Sequence, residues 1–188
     1  MKYIDAETAL ERRIMADLRW HSGVAWGEPR PGHPEGKVVF HIADVLHNLD
    51  TQDLPAEQRQ TLRLVALLHD TFKYKVDPGR PPTGENHHAM RARRFAEHYI
   101  GDPALLDLIE LHDEAFNSWR AGSRRRNWPR AETRALALMS RLGASLPLYL
   151  HFYRADIRTA GKTLEPLEWF KKLVQEPGDT HSRLGSIL

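Results

Sequence analysis

Residues 64–73 read Leu-Val-Ala-Leu-Leu-His-Asp-Thr-Phe-Lys and end a long apolar helical segment. Because the apolar residues fall on every side of a helix, we expect the end of this helix to lie in the middle of the domain. His69 and Asp70 would then be buried. A carboxylate is costly to bury unless a cation compensates it, so the pair predicts a positive group beside it. For an isolated pair, the alternative is an Asp that caps a neighbouring helix beside a histidine packed in the core.

The rest of the chain alternates between helical segments and loops rich in Gly and Pro. The spacing of apolar residues and the capping residues predict helices over these ranges: 5–20, 37–49, a third that starts after Asp53 and ends at Asp70, 87–100, one that starts at Pro103, 131–142, 146–160 and 167–175. Loops are predicted at 21–36, 77–85 and 120–130, and the last of these is basic. No segment alternates as a strand does, so the predicted fold class is all-α.

The length of 188 residues is enough for one hydrophobic core and short for two. We therefore expect a single helical domain over 1–188, with a core of about 33–162. The helices over 5–20 and 167–175 would pack on that core. The polar residues 177–188 are predicted to form a mobile tail.

Composition excludes several classes of site. Lys and Arg number 27 against 25 Asp and Glu, and the formal net charge of +2 does not indicate bulk nucleic-acid binding. Cysteine is absent, which leaves His, Asp and Glu as the strong metal ligands.

The first twenty residues are too charged for a signal peptide, and no apolar run approaches the roughly 18 residues of a membrane span. We therefore expect a cytoplasmic protein without a membrane segment.

Other metal-ligating side chains lie on apolar helix faces. His41, His88 and His112 share their faces with aliphatic or aromatic residues one turn away, and Asp156 shares its face with Tyr149 and two further aromatic residues. A lone inward histidine is ordinarily a packed core residue, and a lone inward Asp pairs with an arginine. Since four helices aim such a group at the interior together, the pattern predicts a metal site.

The order His41, then His69-Asp70, then Asp156, with Leu-Leu-His-Asp-Thr-Phe-Lys at 67–73, resembles the H...HD...D pattern of the HD-domain metal-dependent phosphohydrolases. The resemblance runs from about residue 33 to 162 and implies that these four side chains bind one divalent metal in a helical bundle. Residues 33–41 also resemble the start of the HD domain attached to some bacterial tRNA nucleotidyltransferases.

Some members of this family bind a second metal through a histidine on the next helix and a histidine pair on the one after. The resemblance places His88 and His112 in these roles, with Asp113 where the second histidine of the pair would follow. A carboxylate can replace that histidine chemically. The chain departs from the family at Phe72, where many relatives have glycine before the lysine, and it lacks the GYP signature of cyclic dinucleotide phosphodiesterases.

These features lead to the hypothesis of a phosphohydrolase that cleaves a phosphate monoester or small phosphodiester, as in a nucleotide. The metal would be Mn, Fe, Co, Ni or Mg, Asp70 would hold the attacking hydroxide, and Lys73 would stabilise charge on the phosphate. Arg91 and Arg94 are further candidates for phosphate binding. The alternatives are a catalytically silent HD module that binds a nucleotide and regulates a partner, and an RNA-directed phosphodiesterase that uses the basic loop. Nucleic-acid binding and homo-oligomer formation stay open.

Overall fold

The protein is described by a computed structural model that covers residues 3–175, apart from the side chain of Arg125. This part of the chain is helical and contains no strand, which confirms the all-α class. Short 3₁₀ turns occur at Lys73–Lys75, Gly84–Asn86 and Gly143–Ser145. The α-helices are α1 (Ala9–Met15), α2 (Leu18–Val24), α3 (Val38–Asp50), α4 (Ala56–Leu68), α5 (His88–Ala96), α6 (Pro103–Leu111), α7 (Glu114–Arg125), α8 (Trp128–Leu142), α9 (Leu146–Ile157) and α10 (Glu165–Gln175). The predicted tail at 177–188 lies outside the described residues.

The predicted helix over 5–20 is wrong, because two helices occupy this region. Thr8 caps α1 by accepting a hydrogen bond from the Glu11 amide. Asp17 has an extended backbone and accepts the Arg19 amide, so it ends the first helix and caps the second. Because α2 continues to Val24, the following loop covers 25–37 and is shorter at its start than predicted.

The predicted basic loop at 120–130 is also wrong. Residues up to Arg125 belong to α7, and only Arg126 and Asn127 separate it from α8. Arg126 adopts a positive φ of 51°, and the Asn127 side chain accepts the Arg130 amide to cap α8. Gly122 lets the two helices approach, since a Cβ there would lie 2.3 Å from the Trp128 ring.

The end of α4 is buried in the core, as predicted, and the helix contacts α3, α5, α6 and α9. Its last two turns are fully buried at Leu62, Val65, Ala66, Leu67 and Leu68. The carbonyls at a helix end lack partners within the helix, and a buried end needs them from elsewhere. Here the Leu67 carbonyl accepts the Trp20 indole N–H at 2.8 Å and the Thr71 hydroxyl at 2.9 Å. These bonds hold the chain at the point where His69 and Asp70 follow the helix.

A glycine in α2 allows this close approach from the other side. A Cβ on Gly23 would lie 1.9 Å from the Thr71 carbonyl oxygen. We expect Gly23→Ala to lower the free energy of unfolding by about 1–3 kcal/mol, because α2 must move away from the segment that carries Asp70. Urea unfolding measures this loss. The control is Gly101→Ala, where no atom lies within 4 Å of the new Cβ, and equal stability of the two variants would contradict this account of the contact.

Candidate metal centre

Three helices deliver the four predicted ligands to one place. His41 lies in the first turn of α3, His69 follows the last residue of α4 with Asp70 next to it, and Asp156 lies near the end of α9. His41, His69 and Asp70 are buried, and the Asp156 side chain is nearly so. This arrangement follows from the inward faces that the sequence analysis identified.

The ligating atoms of these four residues lie within a few ångströms of each other. His41 Nε2 is 2.9 Å from Asp156 Oδ1, 3.2 Å from His69 Nε2 and 3.6 Å from Asp70 Oδ2. His69 Nε2 is 3.5 Å from Asp70 Oδ2 and 4.0 Å from Asp156 Oδ1. Neighbouring ligands on a divalent ion with bonds of about 2.1 Å are separated by about 3.0–3.4 Å. We call these four residues the first ligand group, and their spacing fits one such ion.

A second set of ligating atoms faces the other oxygen of Asp70. Asp70 Oδ1 lies 3.4 Å from both His88 Nε2 and His112 Nε2, and these two nitrogens are 3.3 Å apart. Asp70, His88 and His112 form the second ligand group. Asp70 Oδ1 is buried and has no hydrogen-bond partner among the described residues. A buried carboxylate oxygen needs a positive partner, so the orphaned Oδ1 fits a metal held by the second ligand group.

Two of the histidines are held in the orientation that metal binding needs. His69 Nδ1 lies 2.9 Å from the Ala66 carbonyl, and His112 Nδ1 lies 2.9 Å from the Ile109 carbonyl. Because a carbonyl only accepts, the proton of each ring is on Nδ1, and the lone pair of Nε2 is free for a metal. Both histidines follow the last residue of a helix, where the carbonyls lack amide partners.

Asp113 lies at the edge of the second ligand group. Its Oδ2 is 3.9 Å from His88 Nε2 and 3.6 Å from His87 Nε2. His87 Nδ1 accepts the Ala89 amide at the start of α5, so the proton of this ring is on Nε2 and faces Asp113. His87 therefore supports Asp113, and His88 is the histidine of the doublet that belongs to the second group, as predicted.

Two lysines contact the carboxylates of the first ligand group. The Lys73 ammonium is paired with Asp70 Oδ2, and Lys162 Nζ lies 2.9 Å from Asp156 Oδ1 and 3.0 Å from the Asp156 carbonyl. Lys73 was predicted from the sequence, whereas Lys162 was not. The available signal was its position directly after Gly161, where the chain turns at the end of α9.

The buried charges of the centre stabilise one another. Burial alone would raise the pKa of Asp70, but Lys73 and the surrounding imidazoles hold it well below its ordinary value. Burial likewise opposes ionisation of Asp156, and Lys162 and His41 lower its pKa. Burial lowers the pKa of His69 to about 3, so its ring is neutral near pH 7 and able to bind a metal.

His112 differs from His69 in its electrostatic surroundings. Burial would lower the pKa of His112, but Asp70 and Asp113 raise it above its ordinary value. The second ligand group therefore favours a positive charge beside Asp70 Oδ1.

The remaining residues singled out from the sequence are Arg91 and Arg94 in α5, and Phe72, which precedes Lys73. Arg94 is exposed and paired with Glu85, whereas Arg91 Nε is buried without a hydrogen-bond partner among the described residues. Phe72 is buried and packs against Phe95, with ring centroids 5.1 Å apart. The Phe72 side chain therefore packs into the core while Lys73 pairs with Asp70.

No family model, no curated protein and no solved structure matches the chain. Among the described residues, no helix is long and apolar enough to cross a membrane. The helical fold and its clustered His and Asp side chains are compatible with an HD-type domain and form groups that can hold a metal ion.

The shared position of Asp70 gives a prediction about metal content. We expect the wild-type protein, loaded with Mn²⁺ or Co²⁺, to bind two metal ions per chain. His112→Ala should bind one, and Asp70→Ala should bind none tightly, because Asp70 belongs to both ligand groups. Elemental analysis after removal of free metal measures the stoichiometry.

The control for this experiment is His47→Ala, which removes an exposed histidine from the same helix as His41. It should bind as much metal as the wild type. If Asp70→Ala and His112→Ala lost the same number of ions, Asp70 would not serve both groups.

Proposed function

We propose that the protein is a divalent-metal-dependent phosphohydrolase of the HD-domain type, which cleaves a phosphate monoester or a small phosphodiester. The observation that carries the proposal is the single buried carboxylate of Asp70, whose two oxygens face two sets of histidine nitrogens. Two adjacent divalent ions are a common means of catalysing displacement at phosphorus. The choice of a nucleotide as substrate rests on the resemblance of His41, His69-Asp70 and Asp156 to the family pattern.

The bound metal would polarise a phosphoryl oxygen and lower the pKa of water, so that hydroxide forms near neutral pH. The residues of the chain prepare the place for this chemistry. Asp70 stays ionised because Lys73 and the imidazoles lower its pKa, and it holds the two ligand groups together. His69 stays neutral and presents Nε2.

Lys73 and Lys162 supply positive charge for the phosphate. Each side chain is 21% exposed, so both ammonium groups lie between the buried carboxylates and solvent. Ammonium groups in this position stabilise negative charge that develops on phosphoryl oxygens. Their position favours the binding of an anionic substrate on the side of the first ligand group.

The donor set favours certain metals. Histidine nitrogens suit Mn, Fe, Co and Ni better than Mg, which prefers oxygen ligands. Since four of the six residues in the two ligand groups are histidines, we expect transition metals to support the highest activity.

Neither alternative function gains support from a specific observation. An RNA-directed enzyme would need the arginines near 124 to converge with the metal centre. Arg124 lies eleven residues beyond Asp113, about 16 Å along α7. A silent binding module would not need two clusters of metal-ligating side chains, and the groups His41, His69, Asp70 and Asp70, His88, His112 therefore support the enzyme instead.

A screen of nucleoside monophosphates and small diesters with Mn²⁺, Co²⁺ and Mg²⁺ tests the proposal. We expect hydrolysis that depends on added metal and is abolished in Asp70→Ala. Lys162→Met should lower kcat/KM by about 10–100-fold at unchanged metal content, because it removes a charge that acts on the phosphate.

The matched control is Lys172→Met, which removes an exposed lysine from α10 and should leave kcat/KM unchanged. Metal-loaded wild-type protein that hydrolyses none of these substrates would refute the proposed reaction.

A further inference from the structure

Glu35 connects the loop at 25–37 to the first ligand group. The loop is ordered by its own backbone: Arg30 and His33 exchange two hydrogen bonds, and the Val38 amide donates to the Trp26 carbonyl at 2.9 Å. Gly36 has a φ of +77° and turns the chain directly after Glu35. The Glu35 side chain is only 8% exposed, although the residue lies in a loop.

Glu35 and His41 each have one buried polar atom without a hydrogen-bond partner among the described residues. These atoms are Glu35 Oε2 and His41 Nδ1. His41 Nδ1 lies 3.6 Å from Glu35 Oε1, and the His41 side chain is 3% exposed. Unsatisfied buried polar atoms are rare, and a carboxylate next to an imidazole nitrogen is a matched acceptor and donor.

Within the described part of the chain, His41 Nδ1 lacks the carbonyl partner that His69 and His112 find in their own helices. His69 and His112 follow the last residues of α4 and α6, and their Nδ1 atoms use free carbonyls there. His41 lies in the first turn of α3, where the carbonyls accept amides of the following turn. An acceptor for its Nδ1 must therefore come from outside the helix, and Glu35 places a carboxylate oxygen 3.6 Å from it.

We infer that Glu35 positions His41 for metal binding by accepting the Nδ1 proton, so that the Nε2 lone pair faces the first ligand group. The inference rests on the metal centre of the proposed function. His33 holds Glu35 in place, since His33 Nδ1 donates to Glu35 Oε1 at 2.9 Å. Carboxylates that accept the second nitrogen of a metal-bound histidine fix the ring and raise metal affinity.

A different use of the same residues is a separate metal on His33, Glu35 and His41 Nδ1, whose ligating atoms lie within 4.8 Å of one another. A neutral imidazole has one lone pair, on one of its two nitrogens. His41 Nε2 lies 2.9 Å from Asp156 Oδ1 and 3.2 Å from His69 Nε2, inside the first ligand group. If Nε2 binds the metal there, Nδ1 carries the proton, and Glu35 is its acceptor.

The test compares Glu35→Ala and Glu35→Gln with the wild type, with Glu28→Ala as the control for an exposed glutamate in the same loop. Calorimetric titration with Mn²⁺ or Co²⁺ measures metal affinity without turnover. We expect Glu35→Ala to weaken binding at the first ligand group by about 10–100-fold. Glu35→Gln keeps an acceptor oxygen in nearly the same volume and should lose less than Glu35→Ala. Glu28→Ala should match the wild type.

Nitrogen-15 NMR of the histidine rings gives a second measurement, and circular dichroism checks that each variant is folded. In zinc-loaded wild-type protein, His41 should carry its proton on Nδ1. In Glu35→Ala, the signal of this proton should weaken through faster exchange with water. These spectra report ring orientation and do not depend on catalysis.

Several results would overturn the inference. They are unchanged affinity in Glu35→Ala, an equal loss in Glu35→Gln, which would indicate a charge effect alone, and the loss of one whole metal equivalent, which would make Glu35 a ligand. A wild-type protein that binds no metal would overturn both the centre and this inference. Protein that binds metal but hydrolyses no phosphate ester would refute only the proposed reaction.

Discussion

The structure depends on one buried charge, the Asp70 carboxylate at the end of α4. An ionised carboxylate in the interior costs several kcal/mol unless positive groups and hydrogen-bond donors surround it. Here the compensation comes from Lys73 on one side and from imidazoles on two others. Because these groups stand on or beside α4, α5 and α6, burying Asp70 requires that the helices meet at one point. The constraint that makes the site costly also fixes where the helices converge.

The C-terminal ends of α4 and α6 have the same local structure. Each helix is followed by a His-Asp pair. The Nδ1 of each histidine donates to the carbonyl three residues earlier, and Nε2 faces the metal centre. The aspartates differ in position. Asp70 lies between the two ligand groups, whereas Asp113 lies at the edge of the second group and contacts His87. The local motif is therefore repeated, and only one copy supplies the shared carboxylate.

The parts of this molecule that could be predicted from sequence are those that depend on periodicity. The apolar end of α4 and the inward faces of His41, His88 and His112 follow from residue spacing, and the structure confirms their burial or near burial. The break at Asp17 was missed because apolar spacing continues across it, while one side-chain hydrogen bond decides the helix boundary. Residues 120–125 were misassigned because charge suggested a loop, although arginine is a good helix former. Lys162 and Glu35 were missed because both come from loops, and their contacts depend on how the loops return to the core.

The two lysines bear on how far folding of the protein depends on metal. Lys73 and Lys162 already neutralise Asp70 and Asp156 through covalently attached cations. The negative charges of the first ligand group are therefore balanced within the polypeptide. A metal ion held by Asp70 and Asp156 would take the place of the two lysines as their partner and leave both ammonium groups free to contact a phosphate. The folded state should therefore depend less on metal than catalysis does.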